Sequence, residues 1–411
     1  MLDTCLGCGC ACDDIELRTE ADSIVEARNA CPLGLTWFGD GRAPSRVVVH
    51  GRASSVEEAL EAAASLLTGA SRALVFLAAD ISCETQRAAI AVADFRHAML
   101  DSLTSATALP SVLAAQEIGR PSATLGEVRN RADVVVFWGV DPARRYPRFA
   151  TRYAPGSKGM LTSNGRGSRR VVAVDVGNAR GPEDADARLT VMPDREVATL
   201  TGLTASIALQ KPTPDTSDLM AALAGHYVAI VVDAEQDDVV PVDRGRAAAL
   251  IALAQALNER MRCALITLRG GGNRSGADAC ITAQTGYPTA VDFSRGAPRY
   301  LPYDAAASRL ARGDVDALLV VGSVAAIPPS LAAEFATVPS VIIGPHASER
   351  AFAQTAVSID TGIVGVHEAG TALRMDDVPL PLRAVISGPP PAADILRALA
   401  KTVARAGADR R

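Results

Sequence analysis

The segment Asp133-Val-Val-Val-Phe-Trp-Gly139 decides the fold class of this 411-residue chain. Its uninterrupted apolar run is typical of a strand that is buried on both faces, as in a parallel sheet covered by helices. Runs of the same kind recur at 73–78, 171–175, 228–232, 264–268, 317–321 and 341–343. Alanine-rich helical stretches, such as 195–208 and 245–259, separate them. Strands that alternate with helices predict an α/β protein, and this number of strands fits two parallel sheets better than one.

The order of these elements predicts four consecutive segments: a cysteine-rich domain at 1–50, an α/β domain at 51–210, a second at 211–350, and a C-terminal segment at 351–411 that packs back on both. The polar stretch Lys211-Pro-Thr-Pro-Asp-Thr-Ser217 is the predicted boundary between the two sheets.

One helix is marked at both ends by the sequence. Ser55-Val-Glu-Glu58 is a capping box that predicts where it begins, and Gly69 is placed to end it.

Composition excludes several classes of protein. Apolar residues make up 48% of the chain and charged residues 21%, which is ample for a large core and excludes a mostly disordered chain. A net charge of −5 and only 4% aromatic residues argue against a nucleic-acid partner. The sequence has no long apolar stretch and no signal-peptide pattern at its start, so we expect a cytoplasmic protein without a membrane partner.

Five of the eight cysteines lie within the first 31 residues. Cys5, Cys8 and Cys12 follow a C-x2-C-x3-C spacing, and 18 residues then separate Cys12 from Cys31. Thiolates are soft ligands, and four of them suit an iron–sulfur cluster or a tetrahedral zinc. We therefore expect these four cysteines to hold a [4Fe-4S] cluster or zinc, with Cys10 out of step. The alternative is a set of reduced thiols without metal.

A basic insertion is predicted at 141–170, between two of the strands. It contains one acid, Asp141, and eight cations: Arg144, Arg145, Arg148, Arg152, Lys158, Arg166, Arg169 and Arg170. Most charge runs are solvated surface loops. The alternative is a contact for a polyanion or a partner subunit, made by the first four arginines.

Five longer stretches resemble the B subunit of formylmethanofuran dehydrogenase, a branch of the molybdopterin oxidoreductases. They are Cys8-Gly-Cys-Ala-Cys-Asp-Asp14, Pro110-Ser-Val-Leu-Ala-Ala-Gln-Glu-Ile-Gly119, Leu125-Gly-Glu-Val-Arg-Asn-Arg-Ala-Asp-Val-Val-Val-Phe-Trp-Gly139, Thr285-Gly-Tyr-Pro-Thr-Ala-Val-Asp-Phe-Ser-Arg-Gly-Ala-Pro-Arg299 and Glu368-Ala-Gly-Thr-Ala-Leu-Arg-Met-Asp-Asp-Val-Pro379. The resemblance implies a small cysteine-rich domain followed by two Rossmann-like domains, without the C-terminal barrel of single-chain molybdopterin enzymes. A chain without that barrel implies partner subunits.

The sequence departs from the family pattern at residues 107–109. Counting back from Pro110 places Thr107 where the family carries a cysteine that binds molybdenum or tungsten, and Ala108 and Leu109 replace the small polar residues expected beside it. A threonine hydroxyl cannot supply a soft thiolate ligand. The sequence has no cysteine between Cys83 and Cys263, so a small misalignment cannot restore one. We therefore do not expect a molybdenum or tungsten pterin here.

Other residues would be remnants of the pterin pocket. The resemblance, together with their positions after predicted strands, indicates the following remnants: Gly139, Asp141, Asp175, Arg269, Gly270, Gly271 and Asn273.

None of the five histidines forms an H-x-H or H-E-x-x-H pair, and the sequence has no G-x-S-x-G or P-loop motif.

The resemblance is greatest to the redox-inactive beta subunit of the formyltransferase/hydrolase complex of methylotrophic bacteria. That resemblance implies a structural subunit in one-carbon metabolism, in a complex that passes formyl from formyl-tetrahydromethanopterin through a furan carrier to formate. The implied partners are amidohydrolase-like, formyltransferase-like and glutamate-synthase-like subunits, together with the polyglutamate tail of the carrier. The alternatives are a catalytic B subunit that holds a molybdenum or tungsten pterin, and a free-standing binding module.

Overall fold

The computed structural model describes residues 1–235 and 243–408. The chain divides into two compact units. Unit 1 contains residues 1–106, 271–374 and the chain from 379 onward, and unit 2 contains residues 107–270 and 375–378.

The strands are β1 Leu2–Asp3, β2 Ile15–Glu20, β3 Ser23–Arg28, β4 Val47–Val49, β5 Arg52–Ala53, β6 Ala73–Leu77, β7 Met99–Ser102, β8 Val134–Trp138, β9 Arg170–Val176, β10 Ala187–Val191, β11 Tyr227–Asp233, β12 Arg262–Leu268, β13 Val291–Asp292, β14 Arg299–Tyr300, β15 Ala317–Val321, β16 Ser340–Gly344, β17 Thr355–Asp360, β18 Gly370–Leu373 and β19 Pro379–Leu382. The α-helices are α1 Pro32–Phe38, α2 Val56–Gly69, α3 Cys83–Arg96, α4 Leu103–Thr107, α5 Leu109–Ile118, α6 Leu125–Arg131, α7 Phe149–Arg152, α8 Glu196–Leu209, α9 Ser217–Ala222, α10 Arg244–Asn258, α11 Arg274–Thr285, α12 Ala306–Ala311, α13 Pro329–Phe335 and α14 Ala392–Ala408.

Unit 1 is built on a nine-stranded sheet in the order β14-β13-β7-β6-β15-β16-β17-β4-β5. The five central strands, β7 to β17 in that order, are parallel, and β13 and β4 pair with them antiparallel at the two sides. Val75 and Leu77 pack into a core with α2, α3 and α14, whereas Leu74 and Phe76 pack into a second core with α12 and α13. Both faces of β6 are therefore buried, which explains its unbroken apolar sequence.

Unit 2 is built on a five-stranded parallel sheet in the order β10-β9-β8-β11-β12. Val134, Val136 and Trp138 of β8 share a core with residues of α5, α8 and α10. The prediction of an α/β fold with two largely parallel sheets is confirmed, and no barrel occurs in the part of the chain that the structure describes.

The predicted sheet boundary at 211–217 is wrong. This stretch lies within unit 2, and β8 before it pairs with β11 after it. The strand β6 pairs instead with β15, so the second half of the chain completes the sheet that the first half begins. Unit 2 is thus an insertion in unit 1, and the consecutive domains predicted at 51–210 and 211–350 do not match the strand pairing. An apolar run specifies that a strand is buried but not which strand it pairs with.

The basic insertion between β8 and β9 is not only a solvated loop. Tyr146, Phe149 and Tyr153 are buried, and the rings of Phe149 and Phe137 meet edge to face with centroids 6.3 Å apart. The insertion therefore contributes aromatic side chains to the core of unit 2. No α-helix of the described residues is long and apolar enough to cross a membrane.

Candidate functional site

The cysteine loop follows β1 in a small antiparallel sheet formed by β1, β2 and β3. The Cys5 N–H donates to the Cys12 carbonyl at 2.9 Å, which closes the loop, and the Ala11 N–H donates to the Cys8 carbonyl at 3.1 Å. The Gly7 N–H donates to the Cys5 sulfur at 3.3 Å. Backbone N–H groups that point at sulfur are the hydrogen bonds that stabilise a thiolate ligand.

Cys31 is the N-cap of α1, whose first residue is Pro32, and the first turn of this helix lies against Cys5. A Cβ atom built on Gly34 of this helix would lie 3.2 Å from the Cys5 sulfur. Burial raises the pKa of the Cys5 thiol, and the nearby thiols of Cys8, Cys12 and Cys31 raise it further. The other three predicted ligands thus lie near the Cys5 thiol.

The residue types of the cysteine loop suit a bound metal, but their side chains are not arranged around one metal position. The four thiols and the N–H donor to Cys5 suit a thiolate-bound metal. As the side chains stand, however, no group of three or more Cys, His, Asp or Glu residues in the described ranges is arranged around one metal position. Metal binding at these cysteines stays a prediction.

The glycine-rich segment predicted to line a pterin pocket has structural partners. Asn273 is fully buried, and its side-chain amide donates to the Ile81 carbonyl at 3.0 Å and accepts from the Leu373 N–H at 2.8 Å. The Gly272 N–H donates to the Leu6 carbonyl at 2.8 Å. The segment also spans the division of the chain, since Arg269 and Gly270 belong to unit 2 and Gly271 and Asn273 to unit 1.

A cavity of about 250 Å³ lies in unit 2, where β8, β9 and β11 end. Its lining includes four predicted residues from two different groups: Gly139, Asp141, Arg144 and Arg145. Gly139 has a φ of +61°, a conformation that favours glycine at this strand end. The carboxyl ends of parallel strands are where α/β proteins bind ligands, so this cavity is the best candidate site in the unit.

The predicted residue Asp175 lies beside this cavity and is engaged internally. Its carboxylate accepts from Arg188 at 2.6 and 2.8 Å, pairs with Arg180 at 2.9 Å, and accepts from the Gly181 N–H at 2.9 Å. The side chain is almost completely buried. A buried carboxylate is stable when charged donors surround it in this way, and here the chain itself supplies them.

The acids on the opposite side of the cavity are also paired. Arg145 bonds Asp233 at 2.6 Å and lies 3.6 Å from Glu235, which accepts from Arg269 at 3.0 Å. Nearby, Arg246 bonds Glu196 at 2.9 Å. Sequence reasoning missed Arg180, Arg188, Glu235 and Arg246, because their spacing follows no motif and only the sheet brings them together.

The cations of the basic insertion divide by role. Arg169 is buried and donates to the carbonyls of Pro155 and Ser157, and burial lowers the pKa of its guanidinium. Arg166 pairs with Asp186, and Arg170 donates to carbonyls at the end of α9. These cations hold the fold together, whereas Arg144 is exposed at the cavity. The guanidinium of Arg152 lies over the Tyr153 ring, 5.6 Å from its centroid.

Thr107 is the last residue of α4 and the first residue of unit 2. It is half-buried, and Ala108 beside it is buried. That Thr107 occupies the position of a metal-binding cysteine stays a prediction.

Comparison with known proteins gives the family of the chain. The B subunit of the tungsten-containing formylmethanofuran dehydrogenase 2 of Methanocaldococcus jannaschii is 33% identical over 424 aligned positions, covering 97% of each chain. The corresponding subunit of Methanococcus maripaludis is 32% identical, over 94% of this chain and 93% of that one. This chain belongs to the family of formylmethanofuran dehydrogenase B subunits. No protein-family model matches it.

Two further relatives of this family member come from a methylotroph. The B subunit of the formyltransferase/hydrolase complex Fhc of Methylorubrum extorquens is 28% identical, over 78% of this chain and 86% of that one. The crystal structure of the FhcABCD complex of the same organism, in complex with methylofuran, contains a chain that matches with a TM-score of 0.72 and 26% identity. The match covers 88% of this chain and 99% of that chain. The resemblance inferred from the sequence is confirmed.

Proposed function

We propose that the chain is a structural, non-catalytic subunit of a formyltransferase/hydrolase complex that carries formyl from formyl-tetrahydromethanopterin, through a furan carrier, to formate. The observation that carries this proposal is Thr107, at the position where the resemblance places the metal-binding cysteine. The partners would be the amidohydrolase-like, formyltransferase-like and glutamate-synthase-like subunits of such a complex.

Overall identity is higher to the tungsten enzyme than to the hydrolase complex, so it does not carry this proposal. The chain is 33% identical to a subunit of a tungsten enzyme and 28% identical to a subunit of the hydrolase complex. Both relationships are compatible with one fold, and function depends on the site rather than on the fold. The proposal therefore rests on residue 107, because the resemblance implies that a pterin-bound molybdenum or tungsten takes a thiolate ligand at that position.

The cavity of unit 2 supports the same conclusion. Its lining contains four acids, Asp141, Glu183, Asp233 and Glu235, and four arginines, Arg144, Arg145, Arg180 and Arg246. Asp175 beside them is bound by two arginines. The site is thus balanced in charge by the chain itself, whereas a bound pterin nucleotide would bring a pyrophosphate that needs an excess of donors.

The cysteine loop would keep a structural role in this function. We infer that Cys5, Cys8, Cys12 and Cys31 bind zinc or a [4Fe-4S] cluster, which would fasten the loop to the start of α1. Arg144, with Arg145, Arg148 and Arg152 around it, would contact the polyglutamate tail of the carrier or a neighbouring subunit. Arg144 is the best placed of the four for a tail, because it is exposed at the cavity.

The competing function is that of a catalytic B subunit that holds a molybdenum or tungsten pterin. Elemental analysis of the purified complex separates the two, together with an assay of formyl oxidation coupled to a viologen dye. We expect formate release from the formylated carrier, no dye reduction, and no stoichiometric molybdenum or tungsten. Stoichiometric molybdenum or tungsten with dye reduction would show that this chain is catalytic and would overturn the proposal.

A further inference from the structure

The tip of the basic insertion presents two adjacent apolar side chains to solvent. Met160 is 76% exposed and Leu161 is 70% exposed. Among the described residues, no other two consecutive large apolar side chains are both exposed to 70% or more. Single exposed apolar residues are common on protein surfaces, whereas adjacent ones present a larger apolar patch, and it is larger patches that mark interaction sites.

The backbone of this tip is fixed on the end of α6. The Met160 N–H donates to the side-chain oxygen of Asn130 at 3.1 Å, and the Leu161 N–H donates to the Asn130 carbonyl at 2.8 Å. The Arg129 Nε donates to the Lys158 carbonyl at 3.0 Å. The two exposed side chains are therefore carried on a backbone that is bonded to a helix on both sides of them.

The inner side of the tip is held by Arg169. Its buried guanidinium donates to the Ser157 carbonyl at 2.6 Å and to the Thr162 hydroxyl at 2.8 Å. The Thr162 hydroxyl in turn donates to the Arg129 carbonyl at 2.8 Å. A buried arginine that binds one loop in this way keeps its shape, so little conformational entropy would be lost when the tip binds a partner.

The surroundings of the tip are basic. Lys158 is exposed beside the apolar pair, and the last turn of α6 carries the exposed Arg129 and Arg131, whereas Arg166, Arg169 and Arg170 are engaged within unit 2. The cations nearest to the apolar pair in sequence and in bonding are Lys158 and Arg129. A complementary surface would therefore be an apolar pocket with carboxylates at its rim.

We propose that Met160 and Leu161 form a docking knob that inserts into an apolar pocket, rimmed by carboxylates, on a partner subunit of the same complex. This proposal rests on the proposed function as a complex subunit. Charge favours a different polypeptide over a second copy of this chain, because a symmetric contact between two knobs would bring their cations together. Methionine and leucine suit the role, since methionine adapts its shape to a pocket and both side chains lose water on insertion.

The test is assembly of the co-expressed complex, with this chain carrying an affinity tag. The double variant Met160→Ser with Leu161→Ser should lower the affinity of the chain for the remaining subunits at least tenfold, while the full chain keeps its circular dichroism and its melting temperature. The control is Phe95→Ser, on α3, which removes a comparable exposed apolar side chain and should leave assembly unchanged; Phe95 is 55% exposed. Replacement of Lys158 by Glu should weaken assembly as well, most strongly at low salt.

The possible outcomes distinguish failure of the proposed function from failure of the docking proposal. If the wild-type chain co-purifies with no other subunit, the proposed function fails. If the wild type assembles and the double variant assembles with equal affinity, the knob proposal fails and the function stands. If the wild-type knob mediates self-association of this chain, or attachment to anionic phospholipid vesicles, in place of contact with the other subunits, the assigned partner is wrong.

Discussion

Gly271 lies directly against the backbone of Gly7. A Cβ atom built on Gly271 would lie 2.8 Å from the Gly7 carbonyl oxygen and 3.1 Å from that of Leu6. Contacts this short with backbone atoms cannot be relieved by a change of rotamer. The glycine at 271 is therefore needed for close packing against the cysteine loop, whatever role its neighbours have toward a ligand.

Replacement of Gly271 by alanine should destabilise the protein. The added methyl group would push the cysteine loop away, at a cost of about 1–3 kcal/mol in the free energy of unfolding, typical of overpacking. Urea denaturation measures the effect. Gly69→Ala is the matched control, since no atom lies within 4 Å of a Cβ built there. Equal stability of the two variants would show that the cysteine loop yields without strain.

The carboxylate of Asp175 allows a comparison of two arginines. Arg188→Gln should lower the free energy of unfolding by about 1–3 kcal/mol, because a buried charge loses a direct partner. Arg180→Gln should cost less than about 1 kcal/mol, since the Arg180 side chain is 67% exposed and its ion pair is screened by water. Urea denaturation of both variants gives the order, and the reverse order would contradict this account of the site.

The metal prediction can be tested with two alanine variants in the cysteine loop. Wild-type protein, purified without chelator, should contain zinc or iron in stoichiometric amount, and Cys12→Ala should lose most of it because three thiolates bind less tightly than four. Cys10→Ala should keep the metal, since Cys10 lies outside the ligand spacing. Elemental analysis and absorption spectra give the answer. Metal-free wild type, or equal loss in both variants, would refute the ligand set.

His367 should make the protein sensitive to acid. Burial lowers the pKa of its imidazole, and the charge of His346 adds to the shift, although the bond to the Gly41 carbonyl opposes it. The unfolded chain therefore takes up a proton near pH 6.5 that the native protein accepts only at lower pH. The stabilisation is complete above that value and is lost as the pH falls.

The variant His367→Asn tests this contribution, because asparagine keeps an acceptor for the Ile363 N–H, which donates to the imidazole at 3.1 Å. The wild type should lose up to about 1.4 kcal/mol of unfolding free energy per pH unit below pH 6.5 from this group. The variant should lose less over the same range, while the difference between the two proteins stays constant above pH 7. Parallel profiles down to pH 5 would refute the assignment.

Arg144 should affect carrier binding without affecting assembly. Arg144→Ala should raise the KM for a polyglutamylated furan carrier about two- to fivefold with kcat unchanged, as expected for one exposed charge contact. A carrier without the glutamate tail is the control and should show no change. If the complex dissociates on a sizing column instead, the residue belongs to a subunit interface.

The sequence by itself determined the elements and the family. The run Asp133–Gly139 contains the strand β8, and Ser55 begins α2 with its capping box as predicted. These features are local, because burial on two faces and the bonding of a helix end depend on neighbouring residues. The expectation for Thr107 likewise comes from the sequence alone, since the absence of a cysteine between Cys83 and Cys263 needs no coordinates.

Only the tertiary structure decided how the elements combine. The pairing of β6 with β15 joins residues more than 240 positions apart, and no apolar pattern distinguishes one buried strand from another as its partner. The same holds for the site: Arg188 reaches Asp175 because β10 lies beside β9, and Arg145 reaches Asp233 because β8 and β11 end at the same edge of the sheet. Charged residues whose spacing in the sequence follows no motif form ion pairs there. The free energy of a buried charge depends on the groups that the fold places around it.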